Sequence, residues 1–354
     1  MNVNGPYQLI SVYRQLAFKV PARTSRDTLN YRDCWYIIIK DNSGNTGLGE
    51  CAPIYGLSLE SREQVVEGIS RLPREFNSTE EVLLASAPVA SLHFAVESAV
   101  RDLLSGGKRQ YAGQSPLLSG KAIPINGLVW MNDCDAMVNE AAKKLEDGYR
   151  CIKIKIGALP FEDECEVLHK VREKAPSGVE LRVDANGAWD NLPVDEIMRR
   201  LELLSRYRLH SIEQPVFDTD VLGDLCRRSP VPIALDESLI RCTSRALRIV
   251  LLDQTKPAYL VLKPGLLGGI KASEEWISLA EERNIGWWVT SALESSCGLY
   301  IIAQWVASLN YQGYQGLGTG ALFSNNLPTT LSVSNGQLIC NRPITDEWDF
   351  IFRA

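Results

Sequence analysis

The chain has 354 residues, more than one compact domain usually holds, so a large domain with a smaller companion is expected. Hydrophobic residues make up 45% and charged residues 23%, the balance of an ordinary globular protein, and no apolar run approaches the roughly 20 residues needed to cross a bilayer. The net charge of −6 is spread along the chain without a basic block, which argues against nucleic acid or an anionic membrane as partner.

Nine cysteines, an odd number with no C-x-x-C pair, read as free thiols in a reducing compartment rather than as disulfides or a zinc site. Residues 1–7 show no basic stretch followed by an apolar core, so no secretory signal is expected and the expected location is the cytoplasm.

The first segment reads as antiparallel β. Residues 35–39 form a β-rich run, and the turn cluster Asn42-Ser43-Gly44-Asn45 leads into Thr46-Gly47-Leu48-Gly49-Glu50. The periodicity then predicts a helix over 59–72 capped by Ser58, and another over 88–104 with Val89, Leu92, Ala95, Val96, Ala99 and Leu103 on one face. Gly106-Gly107 stops it, and the stretch to about Gly120 reads as a linker.

From Ile123 short apolar strands alternate with amphipathic helical stretches. Candidate strands lie at 123–129, 150–156, 181–183, 211–212, 233–235, 259–262 and 286–289, with a weak one near Tyr314. Their starts recur at roughly 25–30 residues, the repeat of βα units in a barrel. A doubly wound open sheet is the rival, disfavoured because no glycine-rich phosphate loop follows the first strand. Residues 330–339 alternate like a strand pair expected to rejoin the N-terminal module. The expected division is 1–120 completed by 322–354 for the smaller domain, and 121–321 for the barrel.

Active sites of such barrels lie at the C-terminal strand ends. The second strand carries Lys153 and Lys155, the third ends at Asp184, the fourth at Glu213, the fifth at Asp236 and the sixth at Lys263; the seventh leads into Ser291-Ala292-Leu293-Glu294-Ser295-Ser296. Any one of these acids could cap the next helix. Aligned on three successive strands they would converge and repel, so they call for a cation. An all-oxygen set with open positions suits Mg²⁺, or Mn²⁺, rather than zinc. Alternation in Ile152-Lys153-Ile154-Lys155-Ile156 turns both ammoniums inward, where crowding beside a metal and beside each other is expected to lower their proton affinity. Lys263 would face Lys155 across the barrel. His93 and His169 fall in helical patterns and His210 would point away from the acids, so no catalytic histidine is expected.

A lysine on each side of a divalent ion suits removal of a proton from carbon beside a carboxylate, where the enediolate needs positive charge. A metal-free lyase forming a Schiff base on Lys263 or Lys155 is the reading from another class.

Lys153-Ile154-Lys155, Val183-Asp184-Ala185-Asn186, Ile212-Glu213-Gln214-Pro215, Leu235-Asp236-Glu237-Ser238 and Leu262-Lys263-Pro264 together resemble the enolase superfamily, muconate-lactonizing subgroup. The resemblance extends to Gly47-Leu48-Gly49-Glu50 and the Phe94/Glu97/Asp102 helix. It implies an α/β fold: an enolase-type barrel of about (β/α)7β with an α+β capping domain. It also implies Asp184, Glu213 and Asp236 as metal ligands, Lys155 as acid/base facing Lys263, Lys153 in electrostatic support, and Asn186 and Glu237 behind the ligands. Capping loops at 20–26, with Arg26, and at 52–57 would touch substrate.

Gly316-Leu317-Gly318-Thr319-Gly320 carries no acid where dipeptide epimerases of the subgroup hold a substrate ammonium. With the serine-rich run after the seventh strand, it resembles the o-succinylbenzoate synthase family. That implies Mg²⁺-dependent dehydration of a small carboxylate substrate in menaquinone biosynthesis, with Ser291, Ser295, Ser296, Gly318 and Thr319 near the substrate. An N-acylamino acid racemase or dipeptide epimerase is the alternative within the subgroup. A homo-oligomer stays open.

Overall fold

The computed structural model describes residues 6–23, 28–309 and 311–353. The N-terminal sheet is antiparallel in the order β3-β2-β1-β4, from β1 (Tyr7–Arg23), β2 (Thr28–Lys40), β3 (Thr46–Cys51) and β4 (Glu75–Phe76). Helices α1 (Arg62–Arg71), α2 (Thr79–Ser86) and α3 (Ala90–Leu104) accompany it. α3 lies in backbone contact with β3 because Gly47 and Gly49 share one strand face. A Cβ there would sit 1.9 Å from Ala99 O and from Ala95 O respectively, so only glycine fits.

α1 begins three residues later than periodicity suggests. Ser61 caps it, accepting from Gln64 N at 3.3 Å while Gln64 Oε1 accepts from Ser61 N at 2.8 Å. Ser58 Oγ instead accepts from Ile54 N, closing a turn in the 52–57 loop. The stretch before Gly120 is no free linker. It crosses the last barrel helix, where buried Gln304 accepts from Tyr111 N and donates to Arg109 O, and a 3₁₀ turn forms at Pro116–Ser119. Satisfying those backbone groups is a long-range event that local composition does not report.

The candidate strand at 123–129 divides. β5 (Ile123–Pro124) leaves the barrel, and β6 (Gly127–Val129) starts it. The parallel strands are then β6, β7 (Cys151–Lys155), β8 (Glu180–Asp184), β9 (Ser211–Glu213), β10 (Ile233–Leu235), β11 (Tyr259–Leu262) and β12 (Gly286–Val289), each hydrogen-bonded to the next. Between them run α4 (Cys134–Glu146), α5 (Phe161–Lys174), α6 (Val194–Ser205), α7 (Thr219–Arg228), α8 (Glu237–Ile240), α9 (Arg245–Thr255), α10 (Pro264–Leu267) and α11 (Ile270–Glu281). α12 (Ser296–Ser308) follows β12.

The weak eighth strand is a pair of parallel bridges, Ile125 with Gln315 and Thr290 with Gly316, which join the first strand to the seventh and close the ring. The tail does form a hairpin, β13 (Leu331–Ser334) with β14 (Gln337–Cys340), but it pairs with β5 rather than with the N-terminal sheet. What reaches that sheet is the preceding segment, through Lys19 N to Leu322 O and Ser324 N to Ala17 O. Among the described residues no helix is long and apolar enough to cross a membrane.

Candidate active site

The barrel strands bring their charged ends to one mouth. Parallel register sets Lys155 beside Asp184 and Asp184 beside Glu213. Ile152 and Ile154 are fully buried in the core shared with the helices, so alternation turns Lys153 and Lys155 into the barrel. Asp184 and Glu213 side chains are 2% exposed and Asp236 1%.

Three carboxylates this deep repel one another, and each is held by an ammonium. Lys153 Nζ donates to both Glu213 oxygens at 2.7 Å and lies 2.8 Å from Asp184 Oδ2. Lys155 Nζ donates to Asp184 Oδ2 at 3.2 Å and to Asn186 Oδ1 at 2.6 Å. Lys263 Nζ donates to Asp236 Oδ2. Asn186 Nδ2 in turn donates to Glu237 Oε1 at 2.9 Å.

Burial pushes the Glu213 carboxyl up to about 8, with Asp184 adding to the effect, and burial raises Asp236 as well. For Asp184 burial is outweighed by Lys153 and Lys155, which hold it well below the usual carboxylate range. Burial disfavours the charge on Lys153 and Lys263 too, yet Asp184 and Glu213 around the first, and Asp236 and Glu237 around the second, raise both above an ordinary lysine. The acids bonded to each ammonium thus oppose the loss of proton affinity that burial brings.

Among the described residues, no three acidic, histidine or cysteine side chains enclose one point at metal-ligand distance. Lysines are bonded to the carboxylates instead, Lys153 bridging Asp184 and Glu213. The donor set nonetheless fits a hard cation: three buried carboxylates from successive strands, all oxygen, each already satisfied by positive charge. Glu237 adds a buried oxygen, Oε2, with no hydrogen-bond partner among the described residues.

The mouth opens into a cavity of about 480 Å³, the size of a small-molecule site. Lys153, Lys155, Asp184, Asn186, Glu237 and Lys263 line it, as do Ser291, Gly318 and Thr319. Ser291 Oγ and Thr319 Oγ1 are 2.5 Å apart. Ser295 and Ser296 are not brought there. Ser295 Oγ caps α12 and is bonded to Glu50, while Ser296 Oγ donates to Leu327 O at 2.8 Å. Their hydroxyls are committed to partners from the N-terminal sheet and the tail. Arg26 lies outside the described residues, as do 24 and 25 of the 20–26 loop.

From the N-terminal module Leu29, Ile54, Tyr55 and Leu57 reach the cavity, so the 52–57 loop covers it. Leu128 of the first strand and its flanking residues Asn126 and Trp130 line it as well, with Lys155 Nζ 5.9 Å from the Trp130 ring. Sequence reasoning missed these three, although their alternation carries the signal that located the lysines. His210 stacks on Tyr259 and bonds Ser211 Oγ, away from the acids.

A family model described as "Enolase C-terminal domain-like" matches residues 136–342. The chain is 41% identical over 360 residues, covering 91% of it and 96% of the relative, to an o-succinylbenzoate synthase of Desulfotalea psychrophila (strain LSv54). The crystal structure of MenC from Desulfotalea psychrophila LSv54 superposes with a TM-score of 0.80 at 37% identity, covering 94% of this chain and 99% of that one. A dipeptide epimerase from Cytophaga hutchinsonii, complexed with Mg and the dipeptide D-Ala-L-Val, shares the fold with a TM-score of 0.78 at 22% identity, covering 97% and 95%.

Proposed function

This chain belongs to the enolase superfamily, and from that premise we propose that it carries out the o-succinylbenzoate synthase reaction, dehydrating 2-succinyl-6-hydroxy-2,4-cyclohexadiene-1-carboxylate to the aromatic acid. The observation that carries the reading is the 41% identity to such a synthase across nearly the whole of both chains. The cavity agrees with it. The end of the eighth strand and the turn after it contribute Gly316, Gly318, Thr319 and Leu322, all uncharged, so nothing there would select a substrate ammonium.

In this reading Asp184, Glu213 and Asp236 hold Mg²⁺, the ion present in the similar dipeptide epimerase. Bound there, Mg²⁺ would supply the positive charge that an electron pair moving into the substrate carboxylate requires. Lys155, as the free amine, takes the proton from the ring carbon beside that carboxylate, and Asn186 Oδ1 and Asp184 orient its nitrogen. The ammonium so formed returns the proton to the departing hydroxyl, which leaves as water from the same face as the ring becomes aromatic. Lys263, fixed on Asp236, presents a cation to the opposite face of the ring. Lys153 keeps the Asp184–Glu213 pair together. Ser291, Thr319 and nearby backbone donors face the succinyl carboxylate. The small carboxylate substrate and the nine free thiols fit a cytoplasmic enzyme.

The test is ultraviolet detection of the aromatic product. Mg²⁺ supports turnover, EDTA abolishes it, and Lys155→Ala lowers kcat by roughly 10²–10⁴-fold. A wild-type chain that forms no product with Mg²⁺, or a Lys155→Ala variant at full rate, would sink the reading.

A further inference from the structure

One guanidinium bridges two segments that build the cavity. Arg32, on β2 and 4% exposed, donates from Nη2 to Ala52 O and from Nη1 to Ala292 O, groups 20 and 260 positions away in sequence. Ala52 opens the loop whose Ile54, Tyr55 and Leu57 line the cavity, and Ala292 lies between its lining residues Ser291 and Leu293. A planar fork can satisfy two carbonyls at once, which an ammonium on a flexible stem does poorly.

Neighbouring groups make both ends specific. Asp33, the next residue on β2, accepts from Tyr55 Oη at 2.9 Å, from Tyr13 Oη at 2.7 Å and from Arg62 Nε at 2.9 Å. Consecutive residues of one strand therefore pin the 52–57 loop at its start and at its tip. On the barrel side Glu294 Oε2 accepts from Ala292 N at 2.7 Å, so charged side chains hold Ala292 through both its N–H and its C=O. Leu293 has a φ of 59°, a conformation that needs such support. Glu50, from β3, accepts from Ser295 N and Gly298 N at 2.7 Å. The space is closed: a Cβ on Gly298 would lie 2.6 Å from Glu294 Cβ. Arg32 Nε and Glu294 Oε1 are buried without hydrogen-bond partners among the described residues, so the fold holds this guanidinium for the two carbonyls although it is not fully satisfied.

We propose that Arg32 is a positioning residue for the reaction, latching the 52–57 loop to the segment after the seventh barrel strand so that the cavity is formed before substrate arrives. The proposal rests on the function proposed above for its kinetic consequence, but the coupling of the two loops is independent of the substrate's identity. Arg32 touches no reacting atom; its loss acts through loop order, which shows mainly in KM.

The experiment compares the full chain with Arg32→Lys, and with Arg32→Ala in the presence and absence of millimolar guanidinium. Expected are a KM for the cyclohexadiene substrate raised about tenfold or more, kcat within about threefold, and KM partly restored in Arg32→Ala by guanidinium. Hydrogen exchange without substrate is expected to show amides of 52–57 and 290–295 losing protection together, with the other barrel strands unchanged. Unchanged KM, protection lost at one loop only, or failure of both variants to fold would overturn the latch. Should the wild-type chain make no aromatic product, the proposed reaction fails, and hydrogen exchange alone decides whether Arg32 couples the loops.

Discussion

Lys153 illustrates how much one side chain's role depends on its company. Alternation within Ile152-Lys153-Ile154-Lys155-Ile156 is enough to turn it inward. Its bonds to Asp184 and Glu213 come from strands one and two βα units further on. Ser295 and Ser296 make the same point from the other side. Their composition suggests a polar substrate cradle, yet Ser295 is claimed by a glutamate 245 positions away. Glu294 gives a residue-scale test. Burial, opposed by Arg32 and reinforced by Glu50, pushes its carboxyl from 4.5 up to about 7. Between those values the folded chain binds more protons than the unfolded one, so this residue's contribution weakens the fold as pH rises through the window, and its cost is complete above about 7. Glu294→Gln removes the ionisation. Relative to wild type, its unfolding free energy should improve by up to about 3 kcal/mol between pH 4.5 and 7.5, whatever the constant offset from altering the bond to Ala292. A difference that stays flat across that range contradicts the assignment.

At the scale of elements, the contact of α3 with β3 is the sharpest case. The Gly-x-Gly spacing is visible in sequence, and the reason for it is a helix backbone lying where any Cβ would go. Gly49→Ala is expected to cost several kcal/mol, beyond the ~1 kcal/mol of a typical substitution, because the clash is with the backbone oxygen of Ala95. Thermal unfolding checks it, and a midpoint within about 2 °C of wild type would refute the argument. The start of α1 and the fate of 123–129 were harder to read. Ser58 and Ser61 are both acceptable caps, and the choice falls to Gln64, which completes a capping box only with Ser61. Pro124 belongs to β5 because β14 offers it an antiparallel partner, a pairing across 213 positions at its Gln337 contact.

For the whole molecule, the metal reading carries a thermodynamic consequence. An ion that binds only the folded chain stabilises it by mass action, about 2.7 kcal/mol at a hundredfold excess over Kd. Mg²⁺ should therefore raise the unfolding midpoint of the wild type by roughly 3–8 °C. Asp184→Asn should abolish most of that shift, and an equal shift in the variant would place the ion elsewhere. By itself the sequence determined the βα succession, the inward lysines, the acids at three strand ends and the family, because alternation, spacing and strand-end position are local properties of the chain. Only the tertiary structure decided how the ring closes through Gln315 and Gly316, where the tail hairpin pairs, and which lysine bonds which acid. It alone also joined Arg32 to Ala52 and Ala292. Those outcomes depend on partners brought together from distant positions, whose buried polar groups must be satisfied by whatever the fold places within reach.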